Sequence, residues 1–205
     1  MSIPRIQPAM LHRVPSPMPP PIPTRLAIRP ATPDDIPLIL QLIRDLAEYE
    51  RDPAAAIATP DLIRQHLFGD SLAGQHNLNG APRQGPVAEC LIGEVDGAAQ
   101  GFALFFHNFS TWRGRPGLYL EDLFVRPAAR GHGLGKALLI ELAKVAHARN
   151  CARMEWAVLD WNTPAIDFYK SLGAKPMDEW TTWRVDSEGI EKLASAPSGA
   201  PPSRR

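Results

Sequence analysis

The chain has 205 residues, 44% of them apolar and 21% charged, a composition that supports a folded core and excludes collagen-like or uniformly disordered proteins. Its 22 basic and 22 acidic side chains balance, so the overall charge gives no indication of a nucleic-acid partner. The Pro-rich tails 1–24 and 194–205 carry four arginines and no acid, which leaves residues 25–193 with a net charge of −4. We expect disordered tails around one domain at 25–193.

The hydrophobic pattern and the cysteine and histidine content further limit the kinds of protein that this sequence can encode. No apolar run approaches the roughly 20 residues of a membrane-spanning helix, and the Pro-broken N-terminus has no signal-peptide segment. We therefore expect a cytoplasmic protein without a membrane partner. Two cysteines and six histidines without paired spacing indicate neither a disulfide framework nor a metal site.

The first half of the domain predicts helices and then an antiparallel meander. A short strand is expected at 26–29. Thr32-Pro33 and Thr59-Pro60 are typical helix starts and predict helices that run to about Glu50 and over 60–68. Residues 70–86 have the composition of a loop. Alternating patterns then predict the strands 87–95, 101–109 and 118–125, the first two joined by a hairpin turn.

The second half changes to a strand-helix-strand pattern. We predict a helix over 134–149, a strand over 152–159, a helix over 163–172 and, after a short segment near 175–177, a last strand over 181–186. A strand, a helix and a strand in succession form a parallel, right-handed unit. The fold class is therefore α/β (α+β): a mixed central sheet with an antiparallel N-terminal meander, a parallel β-α-β unit and helices on both faces.

A glycine-rich turn between a strand and an amphipathic helix is the first motif with chemical content. It runs from Arg130 to Lys136, and glycines at 131, 133 and 135 allow backbone N–H groups to converge on an anion at the start of a helix. The spacing fits neither a Walker loop nor a dinucleotide fingerprint. Taken alone, the turn is also compatible with simple helix-entry geometry.

The second motif is a pair of adjacent carboxylates, Glu121 and Asp122, inside the apolar strand 118–125. Because neighbours on a strand face opposite sides, at least one acid should point toward covered space. A buried carboxylate acquires a raised pKa or a cationic partner. A structural salt bridge and a functional role both explain the pair.

Together these motifs resemble the GCN5-related N-acetyltransferase (GNAT) superfamily, whose signature Arg-x-x-Gly-x-Gly corresponds to Arg130, Gly133 and Gly135. Within it, residues 26 to about 185 are similar to the diamine and polyamine (spermidine/spermine) N-acetyltransferases. The matching segments are Ile28–Thr32, Leu46-Ala47 with Tyr49-Glu50, Leu118–Val125, Trp161-Asn162 with Pro164, Phe168–Lys170 and Trp183-Arg184.

The resemblance implies acetyl-CoA as co-substrate and no metal. It places the cofactor's diphosphate on the turn and its pantetheine arm along the strand, with two further contacts after the next strand. The residues so assigned are Leu123, Phe124, Val125, Arg130, Gly131, His132, Gly133, Leu134, Gly135, Lys136, Asn162 and Ala165.

The resemblance also implies direct acetyl transfer from the thioester to an amine, without a covalent enzyme nucleophile. Tyr169 matches the general acid that protonates the leaving sulfur, and Glu121 matches the acceptor of the amine's proton. Tyr49, Glu50, Glu121 and Asp122 are expected to bind the substrate. We expect a small-molecule amine, a diamine or polyamine, as substrate and a homodimer as the assembly.

Three alternatives remain open. Thr181 stands where the family has an acid, which favours a basic amino acid such as a thialysine-like compound. A protein amine would suit an open cleft beside 70–86. A non-catalytic acyl-CoA-binding module is a third possibility, against which the presence of both Glu121 and Tyr169 argues.

Overall fold

The computed structural model of the chain describes residues 24–69, 78, 80 and 85–197. Within this described part, the residues up to Ala157 and those from Val158 onward form two compact units. The predicted loop 70–86 and the predicted tails fall largely outside the described residues. Among the helices of the described part, none has the length and apolar character required to span a bilayer.

A five-stranded sheet forms the centre of the first unit, in the order β1-β2-β3-β4-β5. The first three pairings are antiparallel, and β4 pairs with β5 in parallel. The strands are β1 (Leu26–Pro30), β2 (Glu89–Val95), β3 (Ala98–Ser110), β4 (Arg115–Val125) and β5 (Met154–Glu155). The mixed sheet predicted from the sequence is confirmed, although the strand predicted over 152–159 pairs at only two residues.

The helices of the first unit are α1 (Ile36–Tyr49), α2 (Pro60–Ile63) and α3 (Leu134–Ala148). A 3₁₀ turn at Pro33–Asp35 precedes α1, and a π-helical turn at Arg64–Phe68 continues α2. The Thr-Pro pairs act as predicted: Thr32 and Asp35 form a capping box, and the Thr59 hydroxyl accepts a hydrogen bond from the Leu62 N–H at 3.3 Å.

Apolar side chains of α1 and the sheet form a core on one face. It contains Ile36, Ile39, Leu42, Phe102 and Phe124, each at most 3% exposed. Burying a large apolar side chain contributes about 1.5–3 kcal/mol, so this layer is a major source of stability. The C-terminal end of α1 is fixed relative to β4, because Tyr49 also packs against this cluster.

The start of α3 approaches the sheet closely at Gly93 of β2. A Cβ at this position would lie 3.0 Å from Leu134 Cδ1 and 3.3 Å from Leu138 Cδ1. Only glycine leaves space for the two leucines without displacing them. This contact holds the N-terminus of α3 against the sheet.

The second unit contains α4 (Thr163–Ser171) and α5 (Ser187–Ala194). The helix predicted over 163–172 is present and begins at Thr163; its N-cap is Asn162, whose Oδ1 accepts from the Ala165 N–H. The strand predicted over 181–186 and the segment near 175–177 do not form strands. Helix α5 was not predicted from the sequence; it begins where Asp186 Oδ1 accepts from the Gly189 N–H at 2.8 Å.

Candidate active site

The pairing between β4 and β5 ends early and leaves one side of β4 open. Only Leu118 and Tyr119 pair with β5, opposite Met154 and Glu155. β4 continues to Val125 and, apart from Glu121, stays paired with β3. Its last residues therefore have an open side in the sheet plane.

A β-bulge at Glu121 changes what β4 presents to that open side. Leu120 pairs with Phe105 and Asp122 with Leu104, so Glu121 is an extra residue with none opposite. Before the bulge, even-numbered residues bond β5: the Leu118 N–H donates to Arg153 O, and Pro116 O accepts from Ala152.

After the bulge, even-numbered residues of β4 turn their backbone toward β3. The Arg126 N–H donates to Gln100 O at 2.9 Å, and the carbonyl oxygen of Phe124 lies against Gly101. Since backbone groups alternate along a strand, those of Leu123 and Val125 face the open side. Of the three predicted pantetheine contacts, these two have the orientation needed to pair with a ligand, and at Val125 it is the N–H that remains available, because the carbonyl accepts from Arg130 Nε at 2.9 Å.

The bulge also changes the face of the sheet on which the following side chains of β4 lie. Leu120 shares a face with Phe105, whereas Asp122 and Phe124 share the opposite face with Leu104 and Phe102. That second face carries the α1 core. Asp122 therefore lies on the side covered by α1, and Glu121 stays exposed.

The three predicted substrate acids interact electrostatically, since Glu121 and Glu50 both act on Asp122. Burial, Glu121 and Glu50 raise the pKa of Asp122 to about 6. Burial also raises the pKa of Glu50, the residue that ends α1. Among the described residues, no lysine, arginine or histidine forms an ion pair with any of the three. The salt bridge considered for the pair 121-122 is absent from the described part of the chain.

The glycine-rich turn has the expected geometry. Gly131 and Gly133 have φ values of 82° and 85°, the left-handed region that glycine adopts most readily. The first bond of α3 runs from the Ala137 N–H to Gly133 O at 3.0 Å. The N–H groups of Leu134, Gly135 and Lys136 precede it and point out of the helix start, which is also the positive end of the helix dipole.

Two side chains of the turn contact the backbone. His132 Nδ1 lies 3.0 Å from Arg130 O, a contact that places the proton on Nδ1. Arg130 Nε donates to Val125 O at 2.9 Å, and its guanidinium lies 4.3 Å from the centre of the Tyr49 ring. Tyr49 therefore contacts the turn as well as Phe124 of β4, a link that sequence reasoning missed.

Arg126 lies between β4 and the turn, and its guanidinium bonds to α1 and β3. Its proximity to the turn makes it a candidate phosphate ligand, but Nε donates to Asp45 Oδ2 at 2.7 Å, and Nη1 to Ala99 O. The guanidinium fastens the end of β4 to α1.

The remaining predicted residues lie in the second unit. Asn162 caps α4 through Ala165. Tyr169 lies in the second turn of α4, with its ring 5.4 Å from that of Phe168. Tyr169 follows Ala165 by four residues, about one helical turn, and Asn162 by seven residues, about two turns.

Comparisons with known proteins agree with this arrangement. Residues 51–174 match the model of the acetyltransferase (GNAT) family. A thialysine N-epsilon-acetyltransferase from Bos taurus is 35% identical over 178 residues, which cover 82% of this chain and 96% of that protein. The human spermidine/spermine N(1)-acetyltransferase-like protein 1 is 32% identical over 174 residues, but these cover only 23% of its length.

A solved structure supports the same conclusion. An integron cassette protein from the mobile metagenome of V. cholerae superposes with a TM-score of 0.64 and 25% identity, over 83% of this chain and 98% of its own. With more than half of its residues matched by the family model, the chain belongs to the GNAT family of acetyltransferases.

Proposed function

We propose that the protein transfers the acetyl group of acetyl-CoA to a primary amine of a small cationic substrate, a basic amino acid of the thialysine class. The observation that carries this proposal is the open side of β4, where the backbone groups of Leu123 and Val125 lead toward the glycine-rich turn. The relative with the thialysine name supports the substrate class, since it matches over nearly its full length.

The residues of the turn suit the diphosphate of coenzyme A. A Cβ at Gly131 would meet no atom within 4 Å, and one at Gly133 only Leu26 Cδ1 at 3.8 Å, so the turn is open to a bulky ligand. The N–H groups at the start of α3 can donate to phosphate oxygens. When bound, the cofactor supplies a thioester carbonyl that an amine can attack.

The reaction needs a neutral amine, and an alkylammonium has a pKa near 10.4. In our proposal the carboxylates beside the open side of β4 first attract the ammonium group, and Glu121 then accepts its proton through water. The amine nitrogen forms a bond to the carbonyl carbon as the carbon–sulfur bond breaks. The sulfur leaves with the electron pair and takes a proton, which the resemblance assigns to the Tyr169 hydroxyl. The second proton, which the nitrogen loses on becoming an amide, then restores that hydroxyl.

The acidic group favours a second candidate, a diamine or polyamine. Glu50, Glu121 and Asp122 offer carboxylates without an ion-pair partner among the described residues. A second ammonium group would gain from such a site, whereas the α-carboxylate of an amino acid needs a cation elsewhere.

One experiment separates the candidates. Purified protein is assayed for thiol release from acetyl-CoA with thialysine, spermidine, a lysine-containing peptide and bis(2-aminoethyl) sulfide, which is thialysine without its carboxylate. We expect a higher kcat/KM for thialysine than for the sulfide diamine. The reverse order would favour the polyamine class, and preference for the peptide a protein substrate. No release with any amine, although coenzyme A binds, would leave only the acyl-CoA-binding module.

The homodimer predicted from the resemblance belongs to the same proposal. Light scattering after size exclusion should give about 45 kDa, twice the chain mass of 22.5 kDa. A mass near 22.5 kDa would contradict this part of the proposal.

A further inference from the structure

The aromatic side chain at the end of α1 lies between the sheet and the glycine-rich turn. The Tyr49 ring packs on Phe124 of β4, with ring centres 6.3 Å apart. The Arg130 guanidinium lies over the Tyr49 ring, 4.3 Å from its centre, a distance typical of a cation–π contact. A continuous stack therefore connects the α1 core to the first residue of the turn.

A second contact fixes the same guanidinium. Arg130 Nε donates to the carbonyl oxygen of Val125 at 2.9 Å. Among the described residues, no hydrogen bond or ion pair involves the two terminal nitrogens of Arg130. A guanidinium held on its face and at Nε, with its terminal N–H groups still available, is prepared to bind a phosphate through two parallel hydrogen bonds.

We propose that Tyr49 is a positioning residue for the cofactor: by holding the Arg130 guanidinium in place, it prepares the turn to bind the diphosphate of coenzyme A. This inference rests on the proposed function of the turn. It differs from the role expected from the sequence, in which Tyr49 contacts the amine.

The electrostatics of the ring favour the new role. The negative face of a tyrosine ring attracts one cation, and the Arg130 guanidinium covers that face. A substrate ammonium approaching the same face would be repelled by the guanidinium charge. The acids Glu50 and Asp122 remain the better partners for an amine.

The physical benefit is preorganisation. A free arginine side chain samples many rotamers, and part of this conformational freedom is lost when it binds a phosphate. The stack on Tyr49 and the bond to Val125 restrict the side chain before the ligand arrives. Affinity then depends on Tyr49 although Tyr49 need not touch the ligand.

The test measures coenzyme A affinity by titration calorimetry on the full chain. We expect Tyr49→Leu to raise the Kd of coenzyme A about three- to tenfold, the range of an exposed to partly buried cation–π contact. Tyr49→Phe, which keeps the ring, should raise it no more than about twofold. The KM for acetyl-CoA should follow the Kd, whereas the KM for the amine should change less.

A double-mutant cycle with Arg130→Gln tests whether Tyr49 acts through the arginine. In the Arg130→Gln background, Tyr49→Leu should have no further effect on the Kd. Leu46→Ala, one turn earlier and packed on the same core, is the matched control: it should lower the Tm without changing the Kd. If Tyr49→Leu fails to fold, a series of increasingly fluorinated phenylalanines at position 49 replaces it. Fluorination weakens the negative electrostatic potential of the ring face but keeps the ring's shape, so the Kd of coenzyme A should rise with each fluorine.

The results distinguish this inference from the proposed function. Wild-type protein that fails to bind coenzyme A would overturn both. Normal binding that Tyr49→Leu or fluorination leaves unchanged, additive effects in the cycle, or a rise confined to the KM of the amine would overturn only the role of Tyr49.

Discussion

Replacing Asp122 with asparagine should stabilise the ligand-free protein at neutral pH, the reverse of the usual effect of removing a buried ionised group. The carboxyl lies on the face covered by α1. Its charged neighbours Glu121 and Glu50 are acids, and burial and these two acids raise its pKa to about 6. Ionisation at this position therefore opposes folding.

The magnitude follows from the pKa. A rise from the ordinary value of 3.8 to about 6 corresponds to up to about 3 kcal/mol. Because the folded protein holds this proton more tightly than the unfolded chain, the free energy of unfolding declines as pH rises from about 4 to about 6. Above that range the full penalty applies, and asparagine removes it.

Urea denaturation of wild type and Asp122→Asn at pH 4 and pH 7.5 measures the effect. We expect nearly equal stability at pH 4 and a gain of about 1–3 kcal/mol for the variant at pH 7.5. The matched control is Asp45→Asn. Burial raises the pKa of Asp45, but hydrogen bonds from Gln41 and Arg126 outweigh it and lower the value, so this variant should lose stability at pH 7.5.

Loss of stability in Asp122→Asn at pH 7.5, comparable to that of the control, would refute this reasoning, because it would require a cationic partner for Asp122 in the folded protein. The same variant should raise the KM of the amine substrate. A gain in stability combined with a loss of substrate affinity is the pattern expected of a binding group that is retained at a cost in stability.

Three further predictions concern other parts of the site. Tyr169→Phe should lower kcat about ten- to a thousandfold while coenzyme A still binds; unchanged turnover in the thiol-release assay would remove Tyr169 from the reaction. Arg126→Gln should lower the free energy of unfolding by about 1 kcal/mol, because the ion pair with Asp45 is lost. Its affinity for coenzyme A, measured by calorimetry, should stay within twofold of wild type. A large loss of affinity would indicate that Arg126 is a phosphate ligand. Gly133→Ala, at a φ of 85°, should lower the free energy of unfolding by about 1 kcal/mol and also weaken coenzyme A binding. The control Gly97→Ala, at a φ of 81° in the β2–β3 turn, should lower stability without changing coenzyme A affinity. Equal coenzyme A affinity in both variants would argue against a ligand at the glycine-rich turn.

Local patterns predicted most of the first unit because the relevant interactions are short in sequence. Asp96 and Gly97, with φ values of 50° and 81°, make the predicted hairpin turn. The Thr32 capping box involves residues only three apart. Each of these signals lies within four residues, so a single sequence contains it.

The features that the sequence analysis missed depend on distant partners. Asp45 and Arg126 are 81 residues apart, and nothing near Arg126 distinguishes a structural arginine from a phosphate ligand. The stack of Arg130 on Tyr49 has the same origin. The strand predicted over 152–159 has a suitable composition, but its length in the structure is set by where its pairing with β4 stops.

The bulge at Glu121 shows most clearly how one such feature determines the site. Without the extra residue, Asp122 would fall on the face of Phe105 and Leu120, and the backbone groups of Leu123 and Val125 would point at β3. The extra residue reverses two alternating patterns along β4: the face on which side chains lie and the direction in which backbone groups point. As a result, Asp122 lies on the α1 side of the sheet, and the backbone groups of Leu123 and Val125 face the open side of β4. The bulge therefore explains the different environments of Glu121 and Asp122 better than simple strand alternation does. Alternation predicts only that the two side chains point to opposite faces.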